Sequence, residues 1–188
     1  GLKTMAISGH KFGAPVGVGA VIVARDAKIA VTSHGGGQER GIRSGTLNAA
    51  GAKAFAFAAE LALKNMDAEN QHTRKLVEQI KETVMQQVSG ARFSRGNQPG
   101  LAHNAHFTFE GAKSDSLLFL LDQAGFAASA GSACQAGVAR PSHVLIAMGR
   151  TEAEANGSLR FTLSQNTSAN EVADLLAKLP DIVLTARA

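Results

Sequence analysis

Ser8-Gly9-His10-Lys11-Phe12-Gly13-Ala14-Pro15-Val16-Gly17-Val18-Gly19-Ala20-Val21-Ile22-Val23 is the stretch on which the fold turns. It leads from a short mixed run, Leu2–Ser8, into Gly19–Ala24, a short β-branched segment that predicts a buried-type strand. Between them Gly13, Pro15, Gly17 and Gly19 exclude a helix. A hydroxyl, an imidazole and an amine (Ser8, His10 and Lys11) thus fall within four residues at a strand end, and Gly9 lets the backbone turn sharply there. A lysine amine in such a place can condense with a carbonyl cofactor, provided a desolvated or cationic setting keeps it deprotonated. Ser8 and His10 can donate to a phosphate. The same tetrapeptide also reads as a surface turn with a solvated lysine.

Downstream, Ile29–Thr32 suggests another short strand, and His34-Gly35-Gly36-Gly37-Gln38-Glu39-Arg40-Gly41 a loop whose backbone can approach a ligand or another chain closely. Asn48–Met66 is Ala-rich and helical. A second helix is expected from about Asp67 to Val88, with Leu76, Ile80, Val84 and Val88 at 3–4 spacing. Ala91–Ser94 and Ala105–Phe109 read as strands. Ser114 starts a helix that runs to Gln123 and is closed by Gly125. Phe126–Ala130 is extended. Pro141-Ser142 opens a helix to Met148, a short helix covers Glu152–Asn156, a strand Ser158–Leu163, and a last helix Ser168–Leu179. A strand-and-glycine segment of about fifty residues therefore precedes an α+β unit, which places residues 1–50 in one domain and 51–188 in another.

The 188 residues are 45% hydrophobic and 18% charged, a globular composition that can build a core. The net charge of +4 comes from scattered basic residues, with no Tyr or Trp to stack on bases. Nucleic-acid binding is not supported, and anionic small ligands fit equally well. No stretch is apolar enough to span a bilayer, and one cysteine suits a reducing compartment, so a cytoplasmic location is expected. The chain opens at Gly1 with Met5 internal, which suggests a piece of something longer or a processed product.

Cys134 is the only cysteine and cannot form an intrachain disulfide. Its setting, Ala128-Ser129-Ala130-Gly131-Ser132-Ala133-Cys134, is small and polar, which suits a mobile, reachable loop more than the apolar packing usual for a buried thiol. Arg160 lies in an apolar strand, Leu159-Arg160-Phe161, where a charge is costly unless paired. It is either on the exposed face of an edge strand or a bidentate clamp for a carboxylate. His34-Gly35-Gly36-Gly37 resembles the oxyanion loop of lipases, but no Gly-x-Ser-x-Gly elbow accompanies it. Lys-Ser/Thr does not follow the glycines, so it is no Walker A loop. A Cys–His hydrolase stays open without a localised histidine, and no His or Cys spacing fits zinc.

Taken together, SGHKFGAPVGVGAVIV, HGGGQERGIRSGT, SAGSACQAGVARPSHVLIAMG and SLRFTL resemble, in order and spacing, the cysteine desulfurases, pyridoxal-phosphate enzymes of the class V aminotransferase family. The long loop after Cys134 is similar to the NifS and IscS types rather than the SufS type. The resemblance covers nearly the whole chain. It implies an α/β fold, the end of a fold-type-I large-domain sheet (1–50) followed by a small α+β domain (51–188). It implies that Lys11 holds pyridoxal 5′-phosphate covalently, that Ser8 and His10 bind its phosphate, and that Thr46 reaches the phosphate in the neighbouring subunit of a homodimer. Arg160 would hold the carboxylate of L-cysteine, and Cys134 would take its sulfur as a persulfide, releasing L-alanine. A sulfur-acceptor protein, such as an iron–sulfur scaffold, would follow. Selenocysteine lyase on the same scaffold, or a non-catalytic sulfur carrier, are the rival readings.

Val16 departs from the family's usual lysine and Ser164 from its usual glycine, neither at a proposed role. The family's N-terminal half, with the histidine that stacks on the cofactor ring and the aspartate that pairs with the pyridine nitrogen, has no counterpart in these residues. Three expectations follow for the chain by itself: weak or no cofactor binding and no turnover, disorder or rearrangement of the His34–Gly45 loop, and exposed apolar surface.

Overall fold

The computed structural model describes residues 1–131 and 141–188. Cys134 and the rest of its loop, residues 132–140, lie outside the described residues, and so does the mobility expected there. The chain divides into two compact units, Gly1–Asp67 and Ala68–Ala188, and the division falls inside one helix.

In the first unit, β1 (Thr4–Ser8) pairs antiparallel with β2 (Gly19–Val23), with Met5 opposite Ile22 and Ser8 opposite Gly19. The connection holds a single 3₁₀ turn, Gly9–Lys11. Gly9 N–H donates to Val18 at 2.9 Å, and Ala14 N–H donates back to Gly9 at 3.1 Å, so the loop is tied at its base. The strand expected at Ile29–Thr32 does not form. Only Ser33 pairs there, in a single parallel bridge to Arg43. A short apolar run becomes a strand only where a partner supplies hydrogen bonds, and no described strand lies beside it. The buried apolar side chains of this unit are the small Ala14 and Ala58, whereas Met5, Val21, Ile22, Phe57, Leu61 and Leu63 are exposed. The apolar surface expected from the sequence is thus present.

The two helices expected between Asn48 and Val88 are one, α1 (Ala49–Gln87). No Gly or Pro interrupts residues 52–87, so nothing at Met66–Asp67 breaks the hydrogen-bond ladder. The Asn48 carboxamide oxygen accepts from Gly51 N–H at 2.9 Å and caps its start.

The second unit contains a three-stranded antiparallel sheet in the order β3 (Ala91–Phe93), β4 (Asn104–Phe109), β5 (Ser158–Thr162). Alternation sends Phe93, Ala105, Phe107, Phe109, Leu159 and Phe161 to one face. There they form a continuous core with Leu76, Val77, Ile80 and Val84 of α1, Leu117 and Leu121 of α2 (Ser114–Gln123), and Val172, Leu175, Leu176, Leu179 and Val183 of α5 (Ala169–Ala186). Two short helices, α3 (His143–Ala147) and α4 (Glu152–Asn156), precede β5. Ser142 caps α3, and Thr151 and Ser168 start α4 and α5 with full capping boxes.

The last helix runs seven residues past its expected end at Leu179, through Pro180. An internal proline costs a helix about 3 kcal/mol. Burial of Val183 beyond it returns about 1.5–3 kcal/mol. Arg187 also ties the far end down, donating to the carbonyls of Glu110 at 2.8 Å and Ser89 at 2.6 Å.

Candidate functional site

The turn carrying Ser8, His10 and Lys11 is built by its neighbours. Ser8 is extended (φ −98°, ψ 120°), and its hydroxyl makes no capping bond to the turn it precedes. Ser8, His10 and Lys11 are all exposed, and among the described residues none of the three side chains makes a hydrogen bond. Gly9 is the buried pivot. A Cβ there would lie 2.9 Å from the Val18 carbonyl, 3.0 Å from Ala14 Cβ and 3.1 Å from Phe55. Phe12, next to Lys11, meets Phe55 of α1 edge to face at 5.0 Å, so the turn is fastened to the first turns of that helix. The sequence put Phe55 on one side of its helix but gave neither phenylalanine a part in the lysine turn. The clue was available, since Phe12 is the one large apolar residue inside the glycine-rich connection before Val16. The desolvation that a reactive lysine amine needs is not supplied to Lys11 within this unit.

The glycine-rich loop closes on itself. Ser44 Oγ donates to the Gly36 carbonyl at 2.7 Å, and Gly45 N–H donates to Gln38 Oε1 at 3.1 Å. Glu39 (φ 48°) and Arg40 (φ 58°) both occupy left-handed backbone, which costs a non-glycine residue about 1–2 kcal/mol. Thr46 is exposed just beyond this loop. These residues share the first unit with Lys11.

Arg160 belongs to the second unit. Its N–H donates to Ser129 at 2.8 Å and its carbonyl accepts from Ser129 N–H at 3.0 Å. Its Nε is buried and has no hydrogen-bond partner among the described residues. Around it the polar face of the sheet carries Arg92, Ser94, His106 and Thr108. Glu154 of α4 is paired with Arg92 at 2.6 Å and lies 3.8 Å from Arg150, so its carboxylate is occupied by those two arginines. The hydrogen bond from Thr151 N–H, with lesser help from both arginines, holds that carboxyl below the usual range. Arg150 in addition donates to the Ser94 carbonyl at 3.2 Å. His106 Nδ1 lies 2.6 Å from Ser94 Oγ, and burial, then the charge of Arg160, push its imidazole below the usual histidine value.

The first unit thus carries an exposed lysine on a strand-end turn, and the second a half-buried arginine with no carboxylate partner among the described residues. The aminotransferase class-V family model matches residues 1–175, and the chain belongs to that family. It is 46% identical over all 188 of its residues to an IscS-like cysteine desulfurase of Mycobacterium tuberculosis, of which it covers 48%. It is 36% identical over 186 residues to the cysteine desulfurase NifS of Azotobacter vinelandii, covering 46% of that protein. Among solved structures, a NifS-like protein superposes with a TM-score of 0.84 at 30% identity over 98% of this chain and 47% of that one. The NifS-like protein of Rickettsia africae does so with a TM-score of 0.85 at 27% identity, over 96% and 47%. The fold is therefore part of the fold-type-I architecture expected from the sequence, and the chain spans about half the length of the relatives it matches.

Proposed function

We propose that the chain is the part of a cysteine desulfurase that carries the cofactor lysine and the sulfur-accepting thiol. Residues 1–50 would belong to the large cofactor-binding domain and 51–188 to the small domain. Supporting this is, above all, the unbroken similarity over 188 residues to a protein named for that activity.

The residues present fit one end of pyridoxal phosphate. The Lys11 amine is the chemical partner of an aldehyde, and Ser8 and His10 offer donors for a phosphate, with Thr46 as a further hydroxyl. All four are exposed. Ring-stacking and pyridine-nitrogen partners would come from elsewhere in the intact enzyme. When bound, the cofactor supplies an electron sink for the bonds around the substrate's α-carbon.

The chain's own residues do the rest. Arg160 holds the carboxylate of L-cysteine by charge-assisted hydrogen bonds from its guanidinium. The Cys134 thiolate attacks the substrate sulfur. An S–S bond forms as the C–S bond breaks, the electron pair stays on carbon and is protonated, and alanine leaves. The sulfur remains on Cys134 as a persulfide for an acceptor protein. A homodimer, and an iron–sulfur scaffold as acceptor, complete this reading.

The test uses the protein expressed from its own gene, with any residues that precede Gly1 included. Borohydride reduction in the presence of pyridoxal phosphate should place the adduct on Lys11. Cysteine should give alanine and a 32-Da gain at Cys134, the mass of one sulfur. An adduct that persists in Lys11→Ala, or wild-type sulfur release from Cys134→Ser, would overturn the assignment.

A further inference from the structure

We propose that His106 is a positioning residue for Arg160: the imidazole, fixed by Ser94, packs beside the guanidinium and sets its orientation toward the bound carboxylate. This rests on the reading of Arg160 as the carboxylate clamp.

The geometry follows from the sheet register. Arg160 spends both its backbone N–H and its carbonyl on Ser129. The His106 carbonyl accepts from Ser94 N–H at 2.9 Å, on the side of β4 facing β3. His106 and Arg160 are cross-strand partners whose backbone groups point away from each other. They form a non-hydrogen-bonded pair, the type in which Cα atoms approach to about 4.5 Å and side chains lie closest. Both side chains project from the polar face, opposite the phenylalanine core. The ring cannot drift from this position, because Nδ1 is tied to Ser94 Oγ at 2.6 Å and Arg150 secures the Ser94 carbonyl.

The pair needs an uncharged imidazole. Among the described residues Arg160 has no carboxylate partner, since Glu154 is shared by Arg92 and Arg150. Among the described residues the charged side chains on or beside this face are Arg160 of β5, Arg92 of β3, and Arg150 and Glu154 at α4. Three cations and one anion leave the face net positive, so a proton on His106 would push directly on the Arg160 guanidinium. An uncharged ring instead walls off one side of it and leaves the Arg160 charge for the ligand.

Arginine-selective ¹H–¹⁵N spectra of the 188-residue chain test this without any ligand. The Arg160 Nε–H signal is assigned by its loss in Arg160→Lys. Lowering the pH from 7.5 should move or broaden that signal with the midpoint at which the His106 ring titrates. Arg160→Gln should raise the His106 midpoint. His106→Asn, which keeps a polar group for Ser94 and cannot be charged, should abolish the pH response, and Ser94→Ala, which releases the His106 ring, should shift the Arg160 Nε–H signal at pH 7.5. An Arg160 signal that ignores the His106 titration, or a His106 midpoint unmoved in Arg160→Gln, overturns the proposal.

In the cofactor-loaded protein from its own gene, His106→Asn should raise the KM for cysteine about tenfold with kcat little changed. A KM insensitive to Arg160→Gln would instead sink the clamp reading and leave the spectroscopic coupling standing, so the two failures are separable.

Discussion

Ser129 and Arg160 exchange both backbone hydrogen bonds, at 3.0 and 2.8 Å, and so join the segment five residues before Cys134 to the outer edge of β5. Ser129→Pro removes one of the two donors and should cost about 1–3 kcal/mol in urea unfolding. Ser129→Ala keeps the backbone donor and should be near neutral. Equal loss in both variants would mean that the serine hydroxyl, not the bridge, matters.

Gly9→Ala should damage the lysine turn. The new methyl group meets the Val18 carbonyl at 2.9 Å and Ala14 Cβ at 3.0 Å, and backbone does not move aside cheaply. A destabilisation of about 1–3 kcal/mol is expected for such overpacking. Chemical shifts of Phe12 and Phe55 should change as their edge-to-face contact is lost. Unchanged shifts with wild-type stability would contradict the packing described.

Replacing Pro180 with Ala should stabilise the second unit. It restores a backbone donor inside α5 and removes the ring's clash, up to about 3 kcal/mol. Thermal unfolding reads the effect directly, and a lower Tm would show that the helix depends on the proline's geometry.

Stability should fall on acidification in a way that depends on His106. Burial, and secondarily Arg160, depress its folded-state pKa below the ordinary histidine value. Between the two values the unfolded chain binds more protons, so stability rises with pH there. It is fully present above the ordinary value and lost as pH falls through the depressed one. Urea unfolding at pH 7.5 and pH 5 should show a smaller loss in His106→Asn than in the wild type. Identical losses would rule out His106 as the source.

Pyridoxal phosphate should bind the 188-residue chain weakly, because Lys11, Ser8, His10 and Thr46 are all exposed and address only one end of the cofactor. Titration followed by absorbance checks this. Tight stoichiometric binding would show that the residues of this chain suffice for the site.

Local chemistry made much of this protein legible. The stop signals at Gly13 to Gly19, the 3–4 spacing of Leu76, Ile80 and Val84, and the Ser/Thr-to-Glu caps of α4 and α5 act within a few residues, so sequence alone sets them. The four motifs likewise identified the family, because each keeps chemically distinctive residues in fixed order. Other features depend on contacts between distant residues. Whether Pro180 ends α5 was decided by the core that receives Val183. Ile29–Thr32 stayed out of a sheet for want of a neighbour. The partly buried setting of Arg160 depends on Ser129, thirty-one residues earlier, taking both of its backbone bonds. The His106 pairing followed from that same register. Propensity and pattern specify what a segment can become, and only the partners that tertiary structure brings to it select which of those possibilities has the lowest free energy.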